Sequence, residues 1–187
     1  MNALTNTQLL TRHTHRTGPE LKLMEEITLP QARAHEVCGN ARHLFALMVA
    51  KALSGHVFWI TPSWQAETLN PEGMLALVDP SRFTFVSVRR PDDILWSLEE
   101  VLRSGAVPLV VAEMPEPPAM TPVRRLHLAA ESGAKDGRVP PMGLLLPPGD
   151  GGAPGLETRW PMAQHPAPHN PCWTLSRRRA RTAPQKS

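Results

Sequence analysis

An α/β fold with a mostly parallel central sheet is predicted by three features of the sequence. A helix hands over directly to an apolar strand, further apolar runs alternate with helical patterns around it, and glycine or proline marks the joins. The clearest stretch runs from Asp92 to Glu113. Ile94, Leu95, Leu98, Val101 and Leu102 form one helical stripe, and Glu99, Glu100 and Arg103 are expected to point away from it. Pro91 suits the first helical position, Asp92 and Asp93 put carboxylates at the positive end of the helix dipole, and Gly105 can close the last turn in a left-handed conformation. Val107 to Ala112 is then almost uninterruptedly apolar, which predicts burial on both faces, as in a parallel sheet. Pro108 lacks the ladder donor but sits near the strand's start, where it is tolerated. Glu113 ends the strand where an α/β sheet displays its functional side chains.

The other elements follow in order. Residues 1 to about 20 are polar and threonine-rich and read as a tail. Leu21, Leu23, Ile27 and Leu29, around Glu25 and Glu26, form one short apolar element, a tether that docks on the body or on a neighbour. A short segment from Ala34 to Gly39 leads into a helix over Ala41 to Leu53, with Leu44, Phe45, Met48, Val49 and Ala52 on one face. His56 to Thr61 is a strand, Asn70 and Pro71 cap and start a short helix through Val78, and Phe83 to Val88 is a further strand. After Glu113 a proline-rich loop precedes a helix from Thr121-Pro122 through Ser132, and Met142 to Leu146 is another apolar strand. Such alternation implies parallel strands with right-handed helical crossovers. Residues 147 to 155 are a Gly/Pro loop, Thr158 to Gln164 an edge strand, and Cys172 to Ser176 another; there is no internal repeat. The chain therefore divides into a flexible N-terminal segment and tether (1–33), one α/β domain (34–176) and a basic C-terminal tail (177–187).

Composition bounds the function. The 187 residues allow one domain with a real core, and the 21 prolines, concentrated after Pro115, imply long extended connections in the last third. A formal charge of +3 permits contact with nucleic acid or acidic proteins without demanding it. Two cysteines, Cys38 and Cys172, exclude a disulfide scaffold and predict free thiols in a reducing compartment. The first thirty residues hold no apolar stretch of signal-peptide length and no later run approaches a membrane span, so a cytoplasmic location is the expectation.

Several ordered pieces resemble a known group: His35-Glu36-Val37-Cys38-Gly39, Val57-Phe58-Trp59-Ile60-Thr61-Pro62, Arg89-Arg90-Pro91-Asp92-Asp93 with Leu95-Trp96, Ser104-Gly105-Ala106-Val107, Arg124 to Glu131, and Thr158-Arg159-Trp160. Their order and spacing are similar to those of RecA-like proteins, and within them the ImuA branch of bacterial mutagenesis accessory factors, from about residue 34 to about 176. The resemblance implies a RecA-like three-layer sandwich with a degenerate phosphate loop and an irregular C-terminal edge. It also implies a role in DNA-damage-induced mutagenesis and translesion synthesis, within the SOS response. The partners it implies are an ImuB-like inactive polymerase homologue, an error-prone polymerase and RecA. The second reading is a SulA-like cell-division inhibitor binding FtsZ, of which Trp59-Ile60-Thr61-Pro62 is also reminiscent.

The departures from the RecA pattern matter most. A phosphate loop needs glycines that wrap phosphate, a lysine that neutralises it and a hydroxyl that holds magnesium. Aligning Gly39 with the first glycine puts Leu44, Phe45 and Ala46 where the second glycine, the lysine and the hydroxyl belong. No cofactor and no enzymatic activity are expected, and Glu113, matching the metal-supporting acid of the central strand, reads as a remnant with a structural role. Thr61-Pro62-Ser63 holds no acid where RecA carries the carboxylate that activates water.

Other clusters have bland explanations. His35, Cys38 and His43, and separately His13 and His15, fall short of four regularly spaced zinc ligands, so a small buried thiol with surface histidines is preferred. Ser63 and Ser104 lack the local context of a nucleophile. Gly149-Asp150-Gly151-Gly152 is a turn, not a phosphate cradle. Arg177, Arg178, Arg179 and Arg181 form the dense basic cluster, a solvated tail or a nucleic-acid contact. Trp59 and Trp96 are expected in the core, Trp64 and Trp160 near loops at an interface, with Leu23, Ile27 and Trp64 as partner-contact candidates.

Overall fold

A computed structural model describes residues 18–65, 69–165 and 172–180. The strands are β1 (Glu20–Met24), β2 (Ile27–Pro30), β3 (Ala34–Cys38), β4 (Val57–Pro62), β5 (Phe83–Val88), β6 (Leu109–Glu113), β7 (Met142–Leu146), β8 (Thr158–His165), β9 (Cys172–Leu175) and β10 (Arg179–Ala180). The helices are α1 (Arg42–Ala52), α2 (Pro71–Leu75), α3 (Pro91–Ser104) and α4 (Met120–Asp136). The main sheet runs β10-β8-β3-β7-β6-β4-β5, with β9 also pairing β8. From β8 through β5 every pairing is parallel, and only β9 and β10 join antiparallel. A mixed α/β architecture with a mostly parallel sheet is what the alternation of apolar runs predicts.

Period-two alternation sorts the strand side chains into two cores. Val57, Trp59, Leu109, Val111, Met142 and Leu144 meet α1 on one face, while Ile60, Val110, Ala112 and Leu145 meet α3 and α4 on the other. Both faces of β3, β6 and β7 are buried along their whole length, which is why these strands are nearly free of exposed polar residues. Helix α3 starts at Pro91, carries Asp92 and Asp93 in its first turn, and ends at Gly105 in the left-handed region (φ 54°). Ile94, Leu98 and Leu102 are fully buried, each worth about 1.5–3 kcal/mol of apolar transfer. Asn70 caps α2, its side chain accepting from the Glu72 amide at 3.1 Å.

Packing revises several expectations. Segment 20–30 is a hairpin whose Leu21 and Leu29 lie in the α1-side core, so it docks on the body; its two apolar ends meet that core once the chain turns at Glu25 and Glu26. Trp96 is 62% exposed, because it sits across α3 from the Ile94, Leu98 and Leu102 stripe. Glu99 is buried rather than solvent-facing, since Arg103 and, from α4, Arg125 at 2.7 Å engage its carboxylate. Trp160 is buried in mid-strand, stacked on Phe45 with centroids 6.0 Å apart. Strand β8 is no edge, having β3 on one side and β9 and β10 on the other. The sheet continues past residue 176: Arg179 pairs with Arg159, and Arg177 lies 5.9 Å over the Trp160 ring. His35, expected at the surface, is fully buried. Tail residues 1–17, with His13 and His15, and Arg181 lie outside the described residues.

Candidate functional site

The carboxyl ends of β3, β4 and β6 and the start of α1 meet at one end of the sheet, where an α/β protein would hold a ligand. In the turn from β3 into α1, where the sequence resemblance puts a degenerate phosphate loop, three backbone amides bond within the chain. Gly39 N donates to Gly149 O at 3.0 Å, Ala41 N to Met162 O at 3.1 Å and Arg42 N to Gly39 O at 3.4 Å. Asn40 pairs with β8 through its side chain, accepting from Gln164 N at 2.7 Å and donating to Gln164 O at 3.4 Å. A side chain at position 39 would strike the Met162 carbonyl at 2.3 Å. Phe45 and Ala46 are buried in the core and Leu44 packs beside it, while the Arg42 guanidinium turns back onto Gly39 O at 3.3 Å.

Glu113 ends β6 between two hydrogen-bond donors and the His43 imidazole. Trp59 Nε1 donates to Oε1 at 2.8 Å, Gln65 Nε2 donates to Oε2, and His43 Nε2 lies 3.3 Å from Oε2. Burial works against the charged form, but His43, Trp59 and Gln65 outweigh it and hold the carboxyl below its ordinary value. The arrangement satisfies a buried carboxylate and anchors Trp59, whose ring lies 6.0 Å from His43 and 6.3 Å from Phe83. Sequence reasoning singled out Glu113 but not its partners; His43 is one helical position before Leu44, and only the register of α1 against β4 and β6 turns it inward.

A second carboxylate also fills an anion-binding geometry. Glu36, fully buried on β3, accepts from the amides of Gly152 and Ala153 at 3.0 Å each and pairs with Arg159, whose Nη2 reaches Ala153 O at 2.9 Å. The glycine loop is thus a cradle occupied by the protein's own side chain. Next to it, Trp160 Nε1 donates to Thr158 Oγ1 at 2.7 Å, and Thr158 Oγ1 is 2.7 Å from His35 Nδ1. His35 Nε2 is 2.8 Å from Pro30 O, an acceptor only, so the neutral ring donates there and accepts from the threonine hydroxyl. Burial lowers the His35 pKa to about 4, against the hydrogen bond to Pro30, and His127 and Arg33 lower it further.

The remaining candidates are dispersed. Burial first, then Glu36, pushes the Cys38 thiol up to about 11, which leaves it a small inert core residue, while Cys172 is exposed. Among the described residues no three His, Cys, Asp or Glu side chains come together as a metal site. Trp64 is 50% exposed just after β4. Leu23 and Ile27 pack against the α1-side core and also line an open groove beside α1. Arg178 lies 3.6 Å from Asp150 at the surface. No helix among the described residues is long and apolar enough to cross a membrane.

No protein-family model and no curated protein matches the chain. Among solved structures, the chain is similar to the crystal structure of SulA from Pseudomonas aeruginosa, at 19% identity and a TM-score of 0.49, covering 64% of this chain and 100% of that one.

Proposed function

We propose that the chain is a non-catalytic accessory protein of DNA-damage-induced mutagenesis, a RecA-like fold of the ImuA type that acts by protein contact with a polymerase-like partner. The observation that supports this reading is the internally bonded turn between β3 and α1, together with the engaged Glu113. The amides of Gly39 and Ala41 are spent on Gly149 and β8, Phe45 packs in the core where the resemblance would place the lysine, and Glu113 is held by Trp59, Gln65 and His43. A fold that keeps its sheet and fills its nucleotide site internally retains surfaces as its means of action. The polymerase-like partner comes from the resemblance of the ordered sequence pieces. Trp64 and the basic residue Arg178 are surface candidates for partner and nucleic-acid contact.

Calorimetric titration of the full chain with ATP and magnesium should show no binding at micromolar concentrations; saturable, magnesium-dependent binding there would sink the non-catalytic reading. Affinity recovery after DNA damage identifies the partner. An ImuB-like protein or an error-prone polymerase supports the mutagenesis role, whereas recovery of FtsZ without either would replace it with division control.

A further inference from the structure

An open groove of about 1130 Å³ runs between the β1–β2 hairpin, the outer side of α1 and the β8–β9 strands. Leu23 and Ile27 form the hairpin wall, Leu44 and Met48 the helix wall, and Trp160 and Met162 the floor. At the rim Met24 and Trp173 are each 45% exposed, large apolar side chains left in water beside an apolar trough. Three of the lining residues are methionines, which re-pack around an incoming surface more readily than branched side chains do.

Size and polarity identify the occupant. Fifteen residues line the groove, fewer than the roughly 20–30 a side of a stable protein–protein interface, so it fits a single segment better than a second copy of the chain. Its lining is made mostly by apolar side chains, which offer no hydrogen-bond partner to the backbone N–H and C=O groups of a segment laid on them. A helix satisfies those groups internally and offers a stripe of side chains. The walls differ in charge. The hairpin wall carries Glu25 and Glu26, the helix wall Lys51, and Arg177 lies beside Trp160; among the described residues Glu25, Glu26 and Lys51 enter no ion pair with one another or with any neighbour.

We propose that this groove receives an amphipathic helix of a partner protein, its apolar stripe flanked by Lys or Arg against Glu25 and Glu26 and by Asp or Glu against Lys51. The inference rests on the protein-contact reading above and names the chemistry of the segment bound. Opposite flanking charges set the helix direction in the groove, as e and g positions do in coiled coils.

The test uses the full chain and three fluorescein-labelled helical peptides that share one leucine stripe: one with Lys on one flank and Glu on the other, one with Lys on both, one with Glu on both. Fluorescence anisotropy at low salt should show the mixed-flank peptide binding at least tenfold tighter than either control. The surface variant Glu25→Lys with Glu26→Lys should transfer the preference to the peptide with Glu on both flanks, and Met24→Asp should weaken all three. A mixed-flank peptide that binds no better than a scrambled one of the same composition, or an unchanged preference in the double variant, overturns the proposal. So does sedimentation showing a dimer that the double variant abolishes, since the groove is then filled by a second copy. The cellular experiment separates this failure from failure of the function. A polymerase-like partner recovered equally by the wild-type and variant chains refutes the groove alone, and no such partner with either chain refutes the function while the peptide titration still decides the groove.

Discussion

His35 is neutral in the folded state because burial and the nearby His127 and Arg33 disfavour its cation, and it is locked by Thr158 and Pro30. Its folded pKa of about 4 lies below the ordinary 6.5, so its contribution to stability is complete above pH 6.5 and is lost as the pH falls through 4. The span corresponds to about 3 kcal/mol. Urea denaturation at pH 7.5, 6, 5 and 4 should show this loss, and His35→Gln should flatten the curve over that interval; a variant as acid-sensitive as the wild type would contradict the assignment. Glu113 behaves in the opposite chemical sense with the same pH direction: its lowered pKa stabilises the fold above the ordinary carboxyl value of 4.5 and ceases to do so as the pH falls through the depressed one. Replacing it by Leu leaves the Trp59 and Gln65 donors unpaired and should cost about 1–3 kcal/mol, with altered Trp59 fluorescence. Glu113→Gln, which keeps one acceptor for Trp59, should cost less.

Helices α3 and α4 approach each other through glycine. A methyl group at Gly133 would lie 2.0 Å from Leu102 O and 3.0 Å from Gly105 N, both backbone atoms that no rotamer change can move. Alanine normally improves a helix by about 1 kcal/mol over glycine, but here overpacking of about 1–3 kcal/mol wins. Gly133→Ala should therefore lower the melting temperature, whereas Gly73→Ala in α2, with open space at its Cβ, should leave it unchanged or raise it. These elements also show what the sequence makes legible. Helix α3 is readable from Pro91 to Gly105 because its stripe, first turn and left-handed cap all lie within one local stretch. Trp96 was expected in the core on its hydrophobicity, although the stripe of Ile94, Leu98 and Leu102 already left it on the far side. Glu99 was beyond local reasoning, since its burial depends on Arg125 of another helix. The same holds at the site: the end of β6 marks Glu113, but Trp59, Gln65 and His43 come to it only through the strand order and the seating of α1.

At the scale of the molecule, the C-terminal basic stretch is partly built into the sheet. Removing 177–187 deletes β10 and the Arg177 cation over the buried Trp160, a contact worth about 0.5–2 kcal/mol. The truncated chain should remain folded with a melting temperature lower by about 2–4 °C for each kcal/mol lost. If the stretch contacts single-stranded DNA, binding by the full chain should weaken steeply with salt, and a truncated chain that binds equally well would retire that role. The place of β3 in the sheet bears on how the chain is made. This strand occupies residues 34–38, yet its neighbours are β7, from residue 142, and β8, from residue 158. Contacts of such sequence separation form slowly, because a long loop must close before they give anything back. On a ribosome, then, β3 emerges before either of its neighbours exists, and until they follow it its apolar edges are open to pairing with another molecule.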